Sequence, residues 1–307
     1  MSIAEKSNLH PDFVLPRNEG LLTESVRIPG TNIEIVRPFD GTRITTALFD
    51  FDGTLSLERN GWIKLMIANN TEVLLEAVPG LDRKEATEWV TSDIAETIGI
   101  PTYMQMKRLA SEIARRGGTA KDSQDYKNSY TEKLVEMVGL VYEKIANDQL
   151  SIEDVVVKGA FDLLREFKLR FGNNLYLASG TDIEPVKQSV ARLGFDEFFD
   201  EDRIIAAGSL PNPETDAKKI IIDHLMSQKH LEPGQLLCFG DGFPEILYAY
   251  RAGGICVGVL TSDFYEGDSN YFTMEGKRQR LLNAGTHILI PDFRQTRLIE
   301  VALSKFP

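Results

Sequence analysis

Residues 45–56 read TTALFDFDGTLS, and this stretch decides the fold. The apolar run at 46–49 predicts a short buried strand that leads directly into Asp50 and Asp52. Side chains alternate along a strand, so the two carboxylates lie on one side and Phe51 on the other. Ligands of open α/β sheets bind at the carboxyl ends of strands. Two acidic side chains at such a place are costly unless a cation or a reaction uses them.

The composition is that of a folded, acidic protein. The chain has 307 residues, 42% of them hydrophobic and 26% charged, enough for a large core and two compact units. Acidic residues outnumber basic ones, 46 to 34, and the formal net charge is −12. Such a chain is poorly suited to bind nucleic acid or an anionic membrane, and neither is expected as a partner. A small anionic substrate is still compatible with this charge, because a metal ion inverts the local field.

Two cysteines occur, Cys238 and Cys256, both within apolar strand-like runs. Buried, unreactive thiols are the expected state, rather than a metal pair or a disulfide. No stretch has the apolar length needed to span a bilayer, and the N-terminal residues lack the apolar core of a signal peptide. These features predict a reducing, cytoplasmic location.

Residues 1–44 are predicted to form an extension that packs on the core. Its first part is polar and punctuated by prolines, which indicates irregular structure. The stretch 31–38 alternates in polarity like an edge strand, and Asp40 and Gly41 read as a turn into the strand at 46–49. We therefore predict a hairpin between these two strands.

The sequence pattern changes after the first strand. Residues 57–155 are helix-rich, with apolar side chains at three- and four-residue spacing. Glycine and proline residues separate the segments, and Pro101 suits a helix start. Helices are predicted at 61–77, 82–98, 102–116 and 122–147. We interpret this region as an α-helical cap domain inserted after the first strand.

From residue 156 to the end, short apolar strands alternate with helices. Repeated βα units of this kind imply a parallel sheet with helices on both faces, a Rossmann-like α/β core. This core takes in 45–56 and 156–307. Strands are predicted at 175–178, 204–206, 236–239, 255–260 and 287–290. Helices are predicted at 159–171, 183–193, 216–229 and 244–252, with a last one from about 293.

Three of the strand ends carry polar residues of matching character. They read DFDGT at 50–54, SGT at 179–181 and GDGFPE at 240–245. Lys218 and Lys219 lie between the second and third, at the start of an apolar-faced helix. Motifs in a set order with strand-end placement are far more specific than any one of them alone.

This constellation closely resembles the haloacid dehalogenase-like hydrolase superfamily, in its helical-cap phosphatase branch. The resemblance covers 40–56 and 155–292, and the helical insert matches the cap of that superfamily. It implies phosphoryl transfer in which Asp50 is the nucleophile and forms an aspartyl-phosphate. Asp52 would protonate the leaving alcohol and then activate water. Haloacid dehalogenases proper lack an acid at this second position, so Asp52 favours ester hydrolysis.

The resemblance also implies a Mg²⁺ site. The expected ligands are Asp50, the backbone carbonyl of Asp52, and Asp241, all hard oxygen donors. Glu245 stands where an aspartate is more usual, four residues after Asp241 on the first turn of a helix. It either reaches the metal through a water molecule or serves as a helix N-terminal carboxylate, and both alternatives stay open.

Phosphate binding is assigned to Ser179, Gly180 and Thr54 by the same resemblance. Thr181 is expected to begin the next helix, where N–H groups bind anions. The alternative for the Ser-Gly-Thr segment is a plain turn and helix cap. A lysine is expected to hold the phosphate and nucleophile together by charge, and either Lys218 or Lys219 fits, with Lys218 preferred.

Substrate recognition is expected from the hinge after the first motif and from the cap. In the hinge, the candidates are Arg59 and Trp62, whose alternative roles are a solvated arginine and a core tryptophan. In the cap, the stretch 102–108 mixes polar and aromatic residues at helical spacing, and the candidates there are Tyr103, Gln105 and Lys107. The alternative there is a helix face that is half core and half solvent.

The leading hypothesis is a Mg²⁺-dependent phosphatase that hydrolyses a small phosphomonoester, a sugar or polyol phosphate of carbohydrate metabolism. A phosphomutase shares every core residue and stays open as an alternative. A non-catalytic sugar-phosphate-binding protein on the same scaffold is the alternative from another class. The oligomeric state is not predicted.

Overall fold

The computed structural model describes residues 18–206, 217–261, 272–295 and 297–307. The polar lead-in at 1–17 and the first residue of the helix predicted at 216–229 lie outside the described residues.

The described residues form ten strands, eight of which make up one sheet. The order in this sheet is β1-β2-β9-β8-β7-β4-β5-β6, and β3 pairs with β10 in a separate two-stranded sheet. The strands from β9 to β6 run parallel, whereas β1 and β2 are antiparallel additions at one edge. In chain order the strands are β1 (Val26–Arg27), β2 (Glu34–Ile35), β3 (Phe39–Asp40), β4 (Thr46–Asp50), β5 (Leu175–Ser179), β6 (Ile204–Ala206), β7 (Leu236–Gly240), β8 (Ile255–Val259), β9 (Ile288–Ile290) and β10 (Lys305–Phe306).

Ten α-helices occur in the same residues, and none of them is long and apolar enough to cross a membrane. They are α1 (Trp62–Ala77), α2 (Arg83–Thr97), α3 (Thr102–Arg115), α4 (Ser123–Ala146), α5 (Ala160–Phe171), α6 (Ile183–Leu193), α7 (Ala217–Gln228), α8 (Phe243–Arg251), α9 (Met274–Ala284) and α10 (Leu298–Ala302).

The sheet is buried on both faces, as its continuous apolar strands predict. Ala47 and Phe49 of β4 face one apolar cluster, in which Phe49 stacks on Phe239 with ring centroids 4.6 Å apart. Leu48 faces the opposite cluster together with Cys238. Helices α5, α6 and α10 cover the first face, and α7, α8 and α9 cover the second. The predicted Rossmann-like α/β core is therefore confirmed.

The helices of the insert, α1 to α4, pack around a third apolar cluster, to which Phe272 from outside the insert also contributes. Their bounds lie within one residue of those predicted from apolar spacing. Asp82 and Asp122 cap α2 and α4, since the side chain of each accepts backbone N–H groups of the first turn. Pro101 stands at the N-cap of α3. The helices therefore begin where the sequence signals indicate.

The predicted hairpin between 31–38 and the strand at 46–49 is wrong. Strand β2 pairs with β1 and β9, so three other strands separate it from β4. Arg37 explains this placement, because it is 1% exposed and donates to the backbone oxygens of Glu19, Leu282 and Thr286. These buried hydrogen bonds hold the segment beside β9 at the far edge of the sheet.

The C-terminal region also differs from the prediction. The helix expected from about 293 begins at Leu298, and α9 was not predicted. The signals for α9 are nevertheless present, because Thr273 caps its first turn through Gly276 N–H at 3.0 Å. Gly285 ends it with φ of 109°, a left-handed conformation that favours glycine.

Candidate active site

Asp50 is the last residue of β4, and it is 5% exposed. Lys218 Nζ, in the first turn of α7, donates a hydrogen bond to its Oδ1, and Thr54 Oγ1 donates to its Oδ2 at 3.1 Å. Lys219 instead pairs with Asp223 at 3.0 Å at the surface. Of the two lysines left open by the sequence, Lys218 is the one that contacts Asp50.

Asp52 lies just past β4, with 28% of its side chain exposed. Its Oδ2 accepts hydrogen bonds at 2.8 Å from Arg59 Nη1 and at 3.2 Å from the hydroxyls of Ser179 and Thr181. Arg59 Nη1 also donates to Thr181 Oγ1. Helix α6 begins at Ile183, so Thr181 does not begin it as expected. The side chain of Thr181, rather than a helical position, brings this residue to the site.

Asp241 follows β7 and contacts two other elements. Its Oδ1 lies 3.3 Å from Thr54 Oγ1, and its Oδ2 accepts from Lys277 Nζ at 2.9 Å. Its backbone N–H donates to Thr54 Oγ1 at 3.0 Å. Thr54 therefore joins Asp50 and Asp241 through one hydroxyl group, which places the two carboxylates side by side.

Glu245 caps a helix, one of the two roles that the sequence left open, and also lies beside Asp50. It is the third residue of α8, and its Oε1 accepts from the N–H of Gly242 at 2.6 Å, which caps the helix. Its Oε2 lies 3.8 Å from Lys218 Nζ. The same carboxylate is therefore a helix cap and a member of the acidic cluster beside Asp50.

Oxygen atoms of Asp50, Asp241 and Glu245 lie within 4.8 Å of one another. Burial raises the pKa of Asp50 and of Glu245, and attraction to Lys218 offsets this only in part. Burial alone would lower the pKa of Lys218, but the carboxylates of Asp50 and Glu245 outweigh it and raise this pKa. A compact set of hard, negatively charged oxygen donors fits a divalent cation such as Mg²⁺.

Gly53 makes the close approach of two of these loops possible. Its φ is 81°, and a Cβ atom at this position would lie 2.3 Å from Asp241 Oδ2. Any other residue would be strained in its backbone and would displace Asp241. The sharp turn expected of Gly53 from the sequence is therefore present.

Glu58 anchors the hinge between β4 and the insert. Its carboxylate is 1% exposed and accepts hydrogen bonds from Ser189 of α6 and Tyr142 of α4. Burial raises the pKa of Glu58, and these hydrogen bonds only partly oppose the effect. One buried side chain thus ties a core helix and an insert helix to the segment that carries Arg59.

A cavity of about 440 Å³ lies between the strand ends and the insert. Gly180 and Thr181 line it, whereas Ser179 and Thr54 lie beneath the surface and contact carboxylates instead. From the core the lining includes Asp50, Asp52, Lys218, Asp241, Glu245, Lys277 and Arg280. From the insert it includes Arg59, Trp62, Ile63, Met66, Pro101, Tyr103, Gln105, Lys127 and Tyr130.

The candidate substrate residues divide into two groups. Arg59, Trp62, Tyr103 and Gln105 line the cavity. The amide of Gln105 is nevertheless engaged within the insert, since it donates to Thr97 O at 3.2 Å. Lys107 is not among the lining residues, and its ammonium lies 5.3 Å from the ring centroid of Tyr103. Lys107 lies one turn after Tyr103 on the same face of α3 without lining the cavity itself, so its contact with the substrate stays a prediction.

The sequence analysis missed Lys127 and Tyr130, which lie one turn apart on α4 and both line the cavity. Tyr130 is 4% exposed, and burial raises its pKa, with smaller effects of Arg59 and Asp52. Within the described ranges, neither the Lys127 ammonium nor the Tyr130 hydroxyl forms a hydrogen bond or ion pair with another residue. The periodicity of 122–147 predicted the helix but not which of its faces meets the core.

Both cysteines are buried and free, as expected. Burial raises the pKa of Cys238 and of Cys256, so both remain protonated thiols. Neither belongs to the acidic cluster or to the cavity lining.

A family model of haloacid dehalogenase-like hydrolases matches residues 44–253, more than half of the chain. The chain belongs to the haloacid dehalogenase-like hydrolase family. This membership confirms the resemblance drawn from the strand-end motifs. A search of curated proteins finds no match to the chain.

Solved structures share the fold of this family member at low sequence identity. A β-phosphoglucomutase from Clostridium difficile has 15% identity and a TM-score of 0.53, over 85% of this chain and 97% of that one. CbbY from Rhodobacter sphaeroides, in complex with xylulose-1,5-bisphosphate, has 18% identity and a TM-score of 0.54, over 85% and 99%. A predicted phosphoglycolate phosphatase from Haemophilus somnus has 16% identity and a TM-score of 0.51, over 85% and 98%.

Proposed function

We propose that this protein is a Mg²⁺-dependent phosphatase that hydrolyses a small phosphomonoester through an aspartyl-phosphate on Asp50. One arrangement carries the proposal: two differently held carboxylates face one cavity. Asp50 is paired with Lys218, whereas Asp52 is held by hydroxyl and guanidinium donors. Separate environments for two acids suit separate roles in one reaction. Membership in the hydrolase family supports the reaction class.

In the first step, the Asp50 carboxylate attacks phosphorus, and the bond from phosphorus to the ester oxygen breaks. Asp52 enters this step protonated and transfers its proton to the leaving alcohol. Its Oδ2 already accepts three hydrogen bonds. Its Oδ1 is buried and has no partner among the described residues, so we assign the proton to Oδ1.

In the second step, a water molecule attacks the phosphorus of the aspartyl-phosphate, and the bond from phosphorus to Asp50 breaks. Asp52, now a carboxylate, accepts a proton from this water. Inorganic phosphate and the free Asp50 carboxylate result. The same residue thus returns to its protonated form, and the cycle is complete.

The remaining core residues bind and orient in this scheme. Lys218 neutralises charge shared by Asp50 and the transferring phosphoryl group. The backbone N–H of Gly180 binds a phosphoryl oxygen from the cavity wall. Ser179 and Thr54, which contact carboxylates, act by orienting Asp52 and Asp50 rather than by direct phosphate contact.

Asp50, Asp241 and Glu245, with the backbone carbonyl of Asp52, would hold the Mg²⁺ ion. When bound, this ion supplies positive charge that stabilises the equatorial oxygens of the transferring group. Glu245 would contribute Oε2, because its Oε1 caps α8.

We assign residues 57–155 to a cap over the core of 45–56 and 156–307, with 1–44 as an extension. A cavity of about 440 Å³ suits a small substrate, and closure of a cap excludes water during transfer. Polar lining from Tyr130 and Tyr103 fits a polyhydroxylated leaving group, a sugar or polyol phosphate. Two free, buried cysteines are in keeping with a cytoplasmic location.

A phosphomutase is the second candidate, favoured by the likeness to structures named β-phosphoglucomutase. It differs only in whether the aspartyl-phosphate passes its phosphoryl group to a sugar hydroxyl or to water. A panel of sugar and polyol phosphates, assayed with Mg²⁺, separates the two. We expect release of inorganic phosphate; an isomerised sugar phosphate without release would support the mutase.

The covalent mechanism is tested with Asp50→Asn in the same assay. We expect no turnover, a retained fold by circular dichroism, and no phosphorylated protein by intact-mass measurement. Turnover by this variant would exclude Asp50 as nucleophile. Tight binding without turnover by the unmodified protein, on every ester of the panel, would favour the non-catalytic alternative.

A further inference from the structure

Lys277 is a buried lysine at the active site that the motifs do not include. It lies in the first turn of α9 and is 2% exposed. Its Nζ donates to Asp241 Oδ2 at 2.9 Å and to both the carbonyl oxygen and the hydroxyl of Thr261 at 3.0 Å. The family match ends at residue 253, so this lysine lies beyond it.

These contacts join three loops at the carboxyl edge of the sheet. Asp241 follows β7 and Thr261 follows β8. Thr261 Oγ1 in turn donates to Gly53 O at 2.6 Å, in the loop after β4. A buried ammonium is costly unless it is paired and hydrogen-bonded, and Lys277 meets both conditions. Its position is therefore tightly determined.

The contact with Lys277 makes the two carboxylate oxygens of Asp241 different from each other. Oδ2 is held by the ammonium, whereas Oδ1 lies 3.3 Å from Thr54 Oγ1. The same hydroxyl donates to Asp50 Oδ2 at 3.1 Å, so Oδ1 is the oxygen on the side of Asp50. Rotation of the Asp241 carboxylate would require breaking a charge-assisted hydrogen bond.

We propose that Lys277 is a positioning residue that holds Asp241 Oδ2 and thereby presents Oδ1, beside Asp50, to the divalent cation. The inference rests on the proposed function, because it requires the acidic cluster to bind Mg²⁺. Partners that orient metal ligands commonly change metal affinity by about 10- to 100-fold when they are removed.

Two other roles for Lys277 predict different results. A lysine that merely anchors α9 to the sheet would change stability and leave Mg²⁺ affinity unchanged. A lysine that acts mainly by repelling Mg²⁺ would weaken Mg²⁺ binding in the native protein, so removal of the lysine would lower the Kd. Removal of a positioning lysine weakens Mg²⁺ binding instead, because Asp241 without its hydrogen bond to Lys277 must be ordered when the ion binds.

The test is isothermal titration of Mg²⁺ into the substrate-free protein, with Lys277→Met compared with the native chain. We expect the Kd of Lys277→Met to rise about 10-fold or more. Arg278→Met is the matched control, since Arg278 is the next residue of α9 and pairs with Glu34, away from the cluster. Its Kd should match that of the native protein.

An unchanged or lower Kd in Lys277→Met would overturn the inference. Absence of Mg²⁺ binding by the native protein would instead overturn the metal dependence of the proposed function, and the inference with it. If Lys277→Met does not fold, Thr261→Val is used instead. This variant keeps Lys277 but removes the Thr261 hydroxyl, which accepts from the lysine and donates to Gly53 O. A rise of several-fold in Kd is expected there, and an unchanged Kd overturns the inference.

Discussion

Arg59, in the hinge between β4 and the helical insert, donates a hydrogen bond from Nη1 to Oδ2 of Asp52 at 2.8 Å. The same nitrogen contacts Thr181 Oγ1, and that hydroxyl also donates to Asp52. A residue at the start of the insert therefore reaches the proposed proton donor directly. The orientation of Asp52 depends on where the hinge lies.

Arg59→Met should lower kcat about 10²-fold with little change in unfolding temperature. The reason is that Asp52 loses its only charged donor among the described residues, and small displacements of a catalytic group have effects of this size. Steady-state kinetics and a thermal melt measure the two quantities. Arg83→Met is the control, because Arg83 pairs with Glu72 on the exposed face of the insert. Equal kcat values for the two variants would contradict the assignment.

Lys218→Met should lower kcat about 10²- to 10³-fold, the usual effect of losing one charged or hydrogen-bonding group at a transferring centre. Lys219→Met should stay within about twofold of the native protein, since its exposed pair with Asp223 contributes little. Both are assayed below their unfolding temperatures, because Lys218→Met also leaves Asp50 buried without its cation. The reverse ranking would mean that Lys219 is the active-site lysine.

Lys127→Ala should lower kcat/KM about 10-fold for substrates whose leaving group carries an anionic substituent, and less for neutral ones. Lys127 lines the cavity, and an ion pair formed there is partly shielded from solvent. Lys107→Ala is the matched control, a lysine of the insert outside the cavity lining. The prediction is checked by comparing both variants across one substrate panel. A larger loss of kcat/KM in Lys107→Ala than in Lys127→Ala would instead support the prediction from the sequence that Lys107 faces the substrate.

His287 should make the fold sensitive to mild acid. Its Nδ1 accepts from the backbone N–H of Cys256 at 3.1 Å. Burial lowers the pKa of His287 from 6.5 to about 4, and Arg37 adds to the effect. The pKa of His287 is lower in the folded state than in the unfolded state. The contribution of His287 to the stability of the fold is therefore complete above the unfolded-state pKa of 6.5. It is lost as the pH falls from 6.5 towards about 4.

The measurement for His287 is urea denaturation at about pH 7.5 and about pH 5. The native protein should lose about 2 kcal/mol more unfolding free energy over this interval than His287→Gln, which keeps an acceptor but does not titrate. Equal losses in the two proteins would show that His287 is not the group responsible.

Several features of the fold follow from local pattern and were predicted correctly. Buried apolar runs mark the strands on either side of β4, and three- and four-residue spacing marks the helices of the insert. The acids at 50 and 52 appear at a strand end because polar residues interrupt an apolar run there. Each of these signals lies within a few residues of the structure that it predicts.

Other features could not be read in this way. The strand at 34–35 alternates correctly, but its partner β9 lies more than 250 residues further along the chain. Tyr103, Gln105 and Lys107 all lie on a helix that the sequence predicts, yet only the packing of α3 on its neighbours decides which side chains reach the cavity. For the same reason Lys127 and Tyr130 could not be selected from their helix.

The sequence by itself determined the parallel strands of the core and the helices α5 to α8 between them, the helical nature of the insert, and the presence of Asp50 and Asp52 at a strand end. The tertiary structure decided which partners each acid has. Arg59 and Thr181 are 122 residues apart, and Lys277 lies 36 residues after Asp241. Contacts over such separations depend on how whole elements pack, and short-range periodicity carries no information about that packing.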